Sequence, residues 1–183
     1  MSNRNICVVT GSRAEYSLLK PIIKLIESSD KLNLKLVVTG PHVTQDSGET
    51  INEIKEDGFT IGQVIDIMES GDSRFAMSSS VGIGITKFTE YFRGEDTDIL
   101  LVLGDRIESF AASVSAFVSG IPIAHISGGK TTGAIDDILR HNITRMASIH
   151  FPRLEIHAEN LRKMQEADFR IFVSGSTSSK KIV

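Results

Sequence analysis

Apolar residues return along this chain in short, dense blocks, at 6–9, 34–38, 61–67, 99–103, 121–126, 149–151 and 171–173. Such blocks are rich in Val and Ile and apolar at consecutive positions, which predicts strands buried on both faces of a parallel sheet. Between most of them, apolar residues recur at three- and four-residue intervals, the spacing of an amphipathic helix. Leu18, Leu19, Ile22, Ile23 and Ile26 mark the first helix, whose start is expected near Ser17 or whose axis kinks at Pro21. Further helices are predicted over 50–57, 81–93, 106–119, 134–147 and 154–167, and a polar, glycine-bearing loop over 69–73. This βαβα order predicts an α/β fold with a doubly wound, Rossmann-like parallel sheet.

Composition narrows the class. With 183 residues, 40% of them hydrophobic, the chain is long enough for one sizeable domain with a continuous core. Its 20 Lys and Arg are interspersed among 23 Asp and Glu for a net charge of -3, which argues against a nucleic-acid partner because phosphate affinity needs clustered cations. The apolar run at 6–9 is too short for a signal-peptide core or a membrane span, so a cytoplasmic protein without a membrane partner is expected. Cys7, the single cysteine, lies inside that run and reads as a small core residue. The five histidines show no zinc-ligand spacing, and neither a metal nor a cofactor is expected.

Three predicted strand ends carry the polar residues. Gly11, Ser12, Arg13 and Glu15 follow the first, where glycine permits a tight turn, helix-start N–H groups can face an anion and Arg13 can grip a phosphate. An ordinary turn with Arg13 and Glu15 in solvent fits the same residues. Gly104, Asp105 and Arg106 follow the fourth block, with Asp105 either capping the next helix or serving the crevice where open α/β sheets bind ligands. His125 to Gly133 follow the fifth. Gly129-Lys130-Thr131 imitates the end of a P-loop, but Ala124 stands where that motif needs its first glycine. Downstream, Asp136 and Arg140 are four residues apart, as are Asp137 and His141, so each pair would share a helix face as a surface ion pair.

Taken together, Thr10-Gly11-Ser12-Arg13-Ala14-Glu15-Tyr16, Val38-Thr39-Gly40 with His42, Leu103-Gly104-Asp105-Arg106, His125-Ile126 with Gly128-Gly129, Gly133-Ala134-Ile135-Asp136-Asp137 and Arg140-His141-Asn142-Ile143-Thr144 resemble the hydrolysing UDP-N-acetylglucosamine 2-epimerases, particularly the branch that forms N-acetylmannosamine for sialic acid synthesis. The resemblance implies the N-terminal domain of a two-domain, glycosyltransferase-B-type enzyme over residues 1–175, with 176–183 a tail and the second domain absent from this chain. It implies UDP-N-acetylglucosamine or a related UDP-amino sugar as ligand, and a homo-oligomer as a possible assembly. By resemblance Asp105 and the Asp136–Asp137 pair match the family's catalytic carboxylates, and Arg13 its phosphate-side arginine. Gly11, His42, Arg106, Gly129, Lys130, Arg140 and His141 are the remaining candidate substrate-binding residues.

Lys130 departs from the pattern. The sialic-acid branch places a glutamate after the Gly-Gly pair, and a lysine cannot replace a carboxylate proton carrier at neutral pH unless its pKa is strongly depressed. This leaves a second expectation beside the enzyme: a catalytically impaired sugar-nucleotide-binding or assembly module of the same fold.

Overall fold

In the computed structural model, residues 3–44, 50–71 and 73–176 are described. Six strands form one fully parallel sheet: β1 (Arg4–Thr10), β2 (Leu32–Thr39), β3 (Gln63–Ile65), β4 (Ile99–Leu103), β5 (Ile123–Ile126) and β6 (Ile149–Phe151). Their order across the sheet is β3-β2-β1-β4-β5-β6, the doubly wound arrangement. Helices α1 (Arg13–Glu27) and α2 (Thr50–Glu56) bury Tyr16, Leu19, Ile23 and Ile54 on one face against Val8, Leu36 and Val38. On the other face, α3 (Arg74–Gly94), α4 (Ile107–Val118) and α5 (Asp136–Met146) bury Phe88, Ala112 and Ile143 against Cys7, Val9, Leu100 and Val102. Helix α6 (Glu155–Lys163) follows β6. No helix among the described residues is long and apolar enough to cross a membrane.

Several predicted boundaries move, each for a local reason. Helix α1 starts at Arg13 rather than near Ser17, because Ser12 accepts a hydrogen bond from Glu15 N at 3.3 Å while Glu15 reaches back to Gly11 N at 2.9 Å. That reciprocal pair is a variant of the capping box, and it begins the helix a full turn earlier. Ser17 lies within the helix and donates to Arg13 O, and Pro21 is accommodated inside it. Helix α3 begins at Arg74, seven residues before the predicted start, since Ser73 caps it through Ala76 N at 3.0 Å. Its small residues serve packing: a Cβ at Gly84 would lie 2.8 Å from Ala111 Cβ of α4.

The third block yields only the three-residue β3. The fifth loses its first two positions to Pro122, which lacks the N–H a ladder needs. The seventh block is a single parallel bridge, His150 to Ile171, and not a strand. The loop over 69–73 is present in its described residues, Asp72 lying outside them, as do residues 177–183 of the expected tail.

Candidate active site

Because every strand runs the same way, the ends of β1, β2, β4 and β5 share one edge, and the order reverses between β1 and β4. Gly11 and Gly104-Asp105 flank that switch point, the crevice where such sheets bind ligands. The sequence candidates gather here, but they divide into solvent-facing groups and struts.

Arg140 is the central strut. It is buried, and its guanidinium joins Asp105 after β4 to Asp137 at the start of α5 while also donating to Lys130 O at 2.9 Å. The predicted helix-face pairing of Asp136 with Arg140 is therefore corrected: the partner is Asp137, three residues back. Asp137 in turn accepts from Thr132 N at 2.7 Å, Thr132 Oγ1 at 2.8 Å and Gly133 N at 2.7 Å, folding the loop over 130–134 onto itself. Burial opposes its ionisation, but these hydrogen bonds and the nearby His141 outweigh burial and hold its carboxyl below the ordinary value. Asp105 does not cap α4. Arg106 occupies the cap position, with no side-chain cap bond, and the Asp105 carboxylate is drawn to Arg140.

Asp136 and Lys130 are exposed, and no hydrogen bond or ion pair of either side chain is found among the described residues. Gly129 (φ +77°) turns the chain against α6, where an added Cβ would meet His157 O at 2.3 Å and where Asn160 Nδ2 donates to Gly129 O at 2.9 Å. Gly129→Ala is therefore expected to cost about 2–3 kcal/mol, from the left-handed backbone and the backbone clash together. Urea unfolding of the two proteins measures it, and a cost below about 0.5 kcal/mol, the range of ordinary surface changes, contradicts the packing described.

On the β1 side, Arg13 is exposed and paired with Glu53 of α2 at 2.9 Å. His42 is buried, with Nδ1 2.7 Å from Thr50 Oγ1 and Nε2 3.2 Å from Thr10 Oγ1, so it reaches the crevice through Thr10. His141 is half-buried, its Nδ1 without a hydrogen-bond partner among the described residues.

Three residues with structural roles here are not among the candidate site residues of the sequence: His125 and Glu15 enter there only as members of motifs, and Glu108 not at all. His125 is fully buried, and its pKa is pushed down to about 4, chiefly by burial, so the ring is neutral. Gly104 O, 2.7 Å from Nε2, can only accept, which assigns the proton to Nε2 and makes Nδ1 the acceptor for Thr144 Oγ1 at 3.2 Å. The ring thereby pins the turn that carries Asp105. Glu15, allowed as a solvated residue by the sequence, is 5% exposed, and Glu108 is wholly buried beside it. The legible signals were the Ser12-x-x-Glu15 spacing and the lone charge of Glu108 within the otherwise uncharged α4.

Burial first, then the Glu108 charge, pushes the Glu15 pKa up from 4.5 to about 7. A raised folded-state value means the group favours folding when protonated. That contribution is complete below about pH 4.5 and is lost as pH rises through 7, to a total of about 3 kcal/mol. Glu15→Gln, which keeps an acceptor for Gly11 N, is expected to gain 1–3 kcal/mol on the unmodified chain between pH 5 and 8, on the order of that linkage. Urea unfolding at the two pH values measures it, and an unchanged difference rejects the buried carboxyl as the cause.

Fold and crevice together define a Rossmann-like domain with a charged ligand edge at its topological switch point. Among solved structures, the UDP-N-acetylglucosamine 2-epimerase of Neisseria meningitidis bound to UDP-GlcNAc matches with a TM-score of 0.84 at 22% identity, covering 95% of this chain and 47% of that one. The Methanocaldococcus jannaschii enzyme in complex with UDP-GlcNAc and UDP matches with a TM-score of 0.82 at 22% identity, over 94% and 46%. The chain belongs to the UDP-N-acetylglucosamine 2-epimerase family, whose model matches residues 24–182. Among curated relatives, UDP-N,N'-diacetylbacillosamine 2-epimerase (hydrolyzing) of Legionella pneumophila is 35% identical over 98% of this chain and 48% of its own length. Polysialic acid biosynthesis protein P7 of Escherichia coli is 33% identical over 97% and 46%. The chain thus spans about half the length of the curated relatives it matches.

Proposed function

We propose that this chain is the N-terminal half, residues 1–175 with a short tail, of a hydrolysing 2-epimerase that acts on UDP-N-acetylglucosamine or a related UDP-N-acetylamino sugar. The observation that carries the reading is the cluster of Asp105, Arg106, Asp136 and the Arg140–Asp137 strut at the switch point of a family member's sheet. Relatives named for UDP-N,N'-diacetylbacillosamine and for UDP-N-acetylglucosamine support a UDP-linked acetamido sugar and leave those two as the alternatives. The single buried cysteine suits a cytoplasmic setting.

The reaction needs two halves of acid–base work. A carboxylate removes the proton at C2, the C1–O bond breaks, and its electron pair leaves on the diphosphate of UDP, giving a glycal. Water then adds across the double bond, its oxygen to C1 and a proton to C2 on the opposite face, giving the free 2-epimer. Asp105 and Asp136 are the proposed proton carriers. Asp137 is fully engaged by Thr132, Gly133 and Arg140, and we assign it to holding the loop. Gly11, Arg13 and Arg106 would face the diphosphate, and His42 and Gly129 would shape the crevice behind them. Lys130, Arg140 and His141 complete its rim.

A second reading, a sugar-nucleotide-binding or assembly module without turnover, is favoured by one observation: the exposed Lys130 where the sialic-acid branch carries a carboxylate. Incubation with UDP-N-acetylglucosamine and with UDP-N,N'-diacetylbacillosamine, assayed for UDP, separates the two. The 183-residue chain alone is expected to release little or no UDP, and Lys130→Glu is not expected to rescue it, because half the cleft is absent. The same chain joined to the C-terminal half of its Legionella relative is expected to release UDP from one of them. Tight sugar-nucleotide binding by that fusion with no UDP release supports the module instead.

A further inference from the structure

Glu108 sits in a seat made by two glycines. A Cβ on Gly11 would lie 3.0 Å from Glu108 Cγ, and one on Gly40 would lie 2.4 Å from Glu108 Oε1. The carboxylate that fills this space is wholly buried and takes both of its bonds from one side chain, Arg106 Nε at 3.2 Å and Nη2 at 2.9 Å. Glu15 Oε2 stands 3.8 Å from Arg106 Nε, and Glu15 is itself fixed by Gly11 N, Ser12 Oγ and Ser109 Oγ at 2.9, 3.5 and 3.4 Å. One edge of the guanidinium is therefore locked. Nη1 makes no hydrogen bond within the described residues, and the side chain is 40% exposed at the β1–β4 switch point.

We propose that Glu108, backed by Glu15, is a positioning residue that presents the free edge of Arg106 to the diphosphate group of the ligand. A guanidinium that must serve a bidentate oxyanion gains from having its plane fixed beforehand, since no rotamer freedom is then lost on binding. Charge is balanced to suit the task. Burial works against the Arg106 charge, but the hydrogen bonds and charge of Glu108, with the charges of Glu15 and Asp136, outweigh it and hold its pKa above the ordinary value. A purely structural ion pair would have no need of an exposed second edge, and an anion-binding arginine in open solvent would have no need of a buried bidentate partner. The proposal rests on the reading of the ligand as a nucleoside diphosphate sugar, but its test needs neither sugar nor turnover.

The test uses the 183-residue chain, inorganic pyrophosphate as probe, and the Arg106 Nε–H resonance in proton–nitrogen NMR spectra. In the unmodified chain that resonance is expected to stand apart from those of exposed arginines, to exchange slowly with water, and to shift on pyrophosphate addition. Glu108→Gln is expected to collapse it into the exposed-arginine envelope and to weaken pyrophosphate by about tenfold or more, as loss of a charge-assisted bidentate partner implies. Arg106→Lys keeps the charge, leaves the buried carboxylate a cation, and is expected to weaken pyrophosphate by a similar factor. An unshifted resonance in the unmodified chain, an unchanged affinity in Glu108→Gln, or an unchanged affinity in Arg106→Lys each overturns the proposal. Pyrophosphate binding that obeys it, with no UDP release by the fusion above, removes the epimerase reading and leaves this one standing.

Discussion

Arg140→Met is expected to lower the free energy of unfolding by about 3–5 kcal/mol, the cost of removing one partner from a buried charge cluster. The side chain is 8% exposed and joins Asp105, Asp137 and the Lys130 carbonyl, so its loss leaves two carboxylates facing each other and a carbonyl without its donor. Methionine preserves much of the volume, which keeps cavity formation a minor part of the effect. Lysine restores charge but not the fork that reaches both carboxylates, so Arg140→Lys should recover less than half of the loss. Urea denaturation followed by circular dichroism measures both, and a cost below about 1 kcal/mol, the level of an exposed pair, contradicts the cluster's role.

Asp105→Asn, made in the fusion with a C-terminal half, is expected to reduce the rate of UDP release by 10²–10⁴-fold, the usual worth of a general acid or base. The amide keeps size and a hydrogen-bond acceptor for Arg140 but cannot carry the proton. Because Asp105 is bonded to Arg140 and does not cap α4, the substitution should also cost about 1 kcal/mol of stability, the price of one weakened charge-assisted bond. Rate and stability are thus read separately. A protein destabilised by that amount but turning over normally would leave Asp105 as a strut alone.

The architecture was readable because a parallel sheet buried on both faces writes itself as consecutive apolar runs, and six of the seven runs are strands. Boundaries were less readable where short-range polar geometry overrides periodicity. Ser12 and Ser73 start helices well before their first apolar stripe, and the run at 171–173 makes one bridge because it reaches β6 only at His150. At the site, spacing named Asp105, Asp136, Asp137 and Arg140 but could not give their partners. Whether Arg140 turns to Asp136 or Asp137 depends on a loop folding back over the helix start, a contact that linear spacing does not encode. Glu108 was missed for a related reason: its seat depends on Gly11 and Gly40, 97 and 68 positions earlier in the numbering.

The strand order also governs how this sheet can be made on the ribosome. β1 finds β2 within the first 39 residues, but its other edge belongs to β4, and Asn5 N bonds Asp98 across 93 residues. Until β4 has emerged, the nascent chain holds the strand of Ile6, Cys7, Val8 and Val9 with one ladder edge unpaired, and such an edge is a template for pairing with another chain. Closure of the centre is a late, long-range event with a large loop to organise, which makes folding slow for a domain of this size. The middle of the finished sheet, its best-protected part, is the part most in need of shielding while the protein is being synthesised.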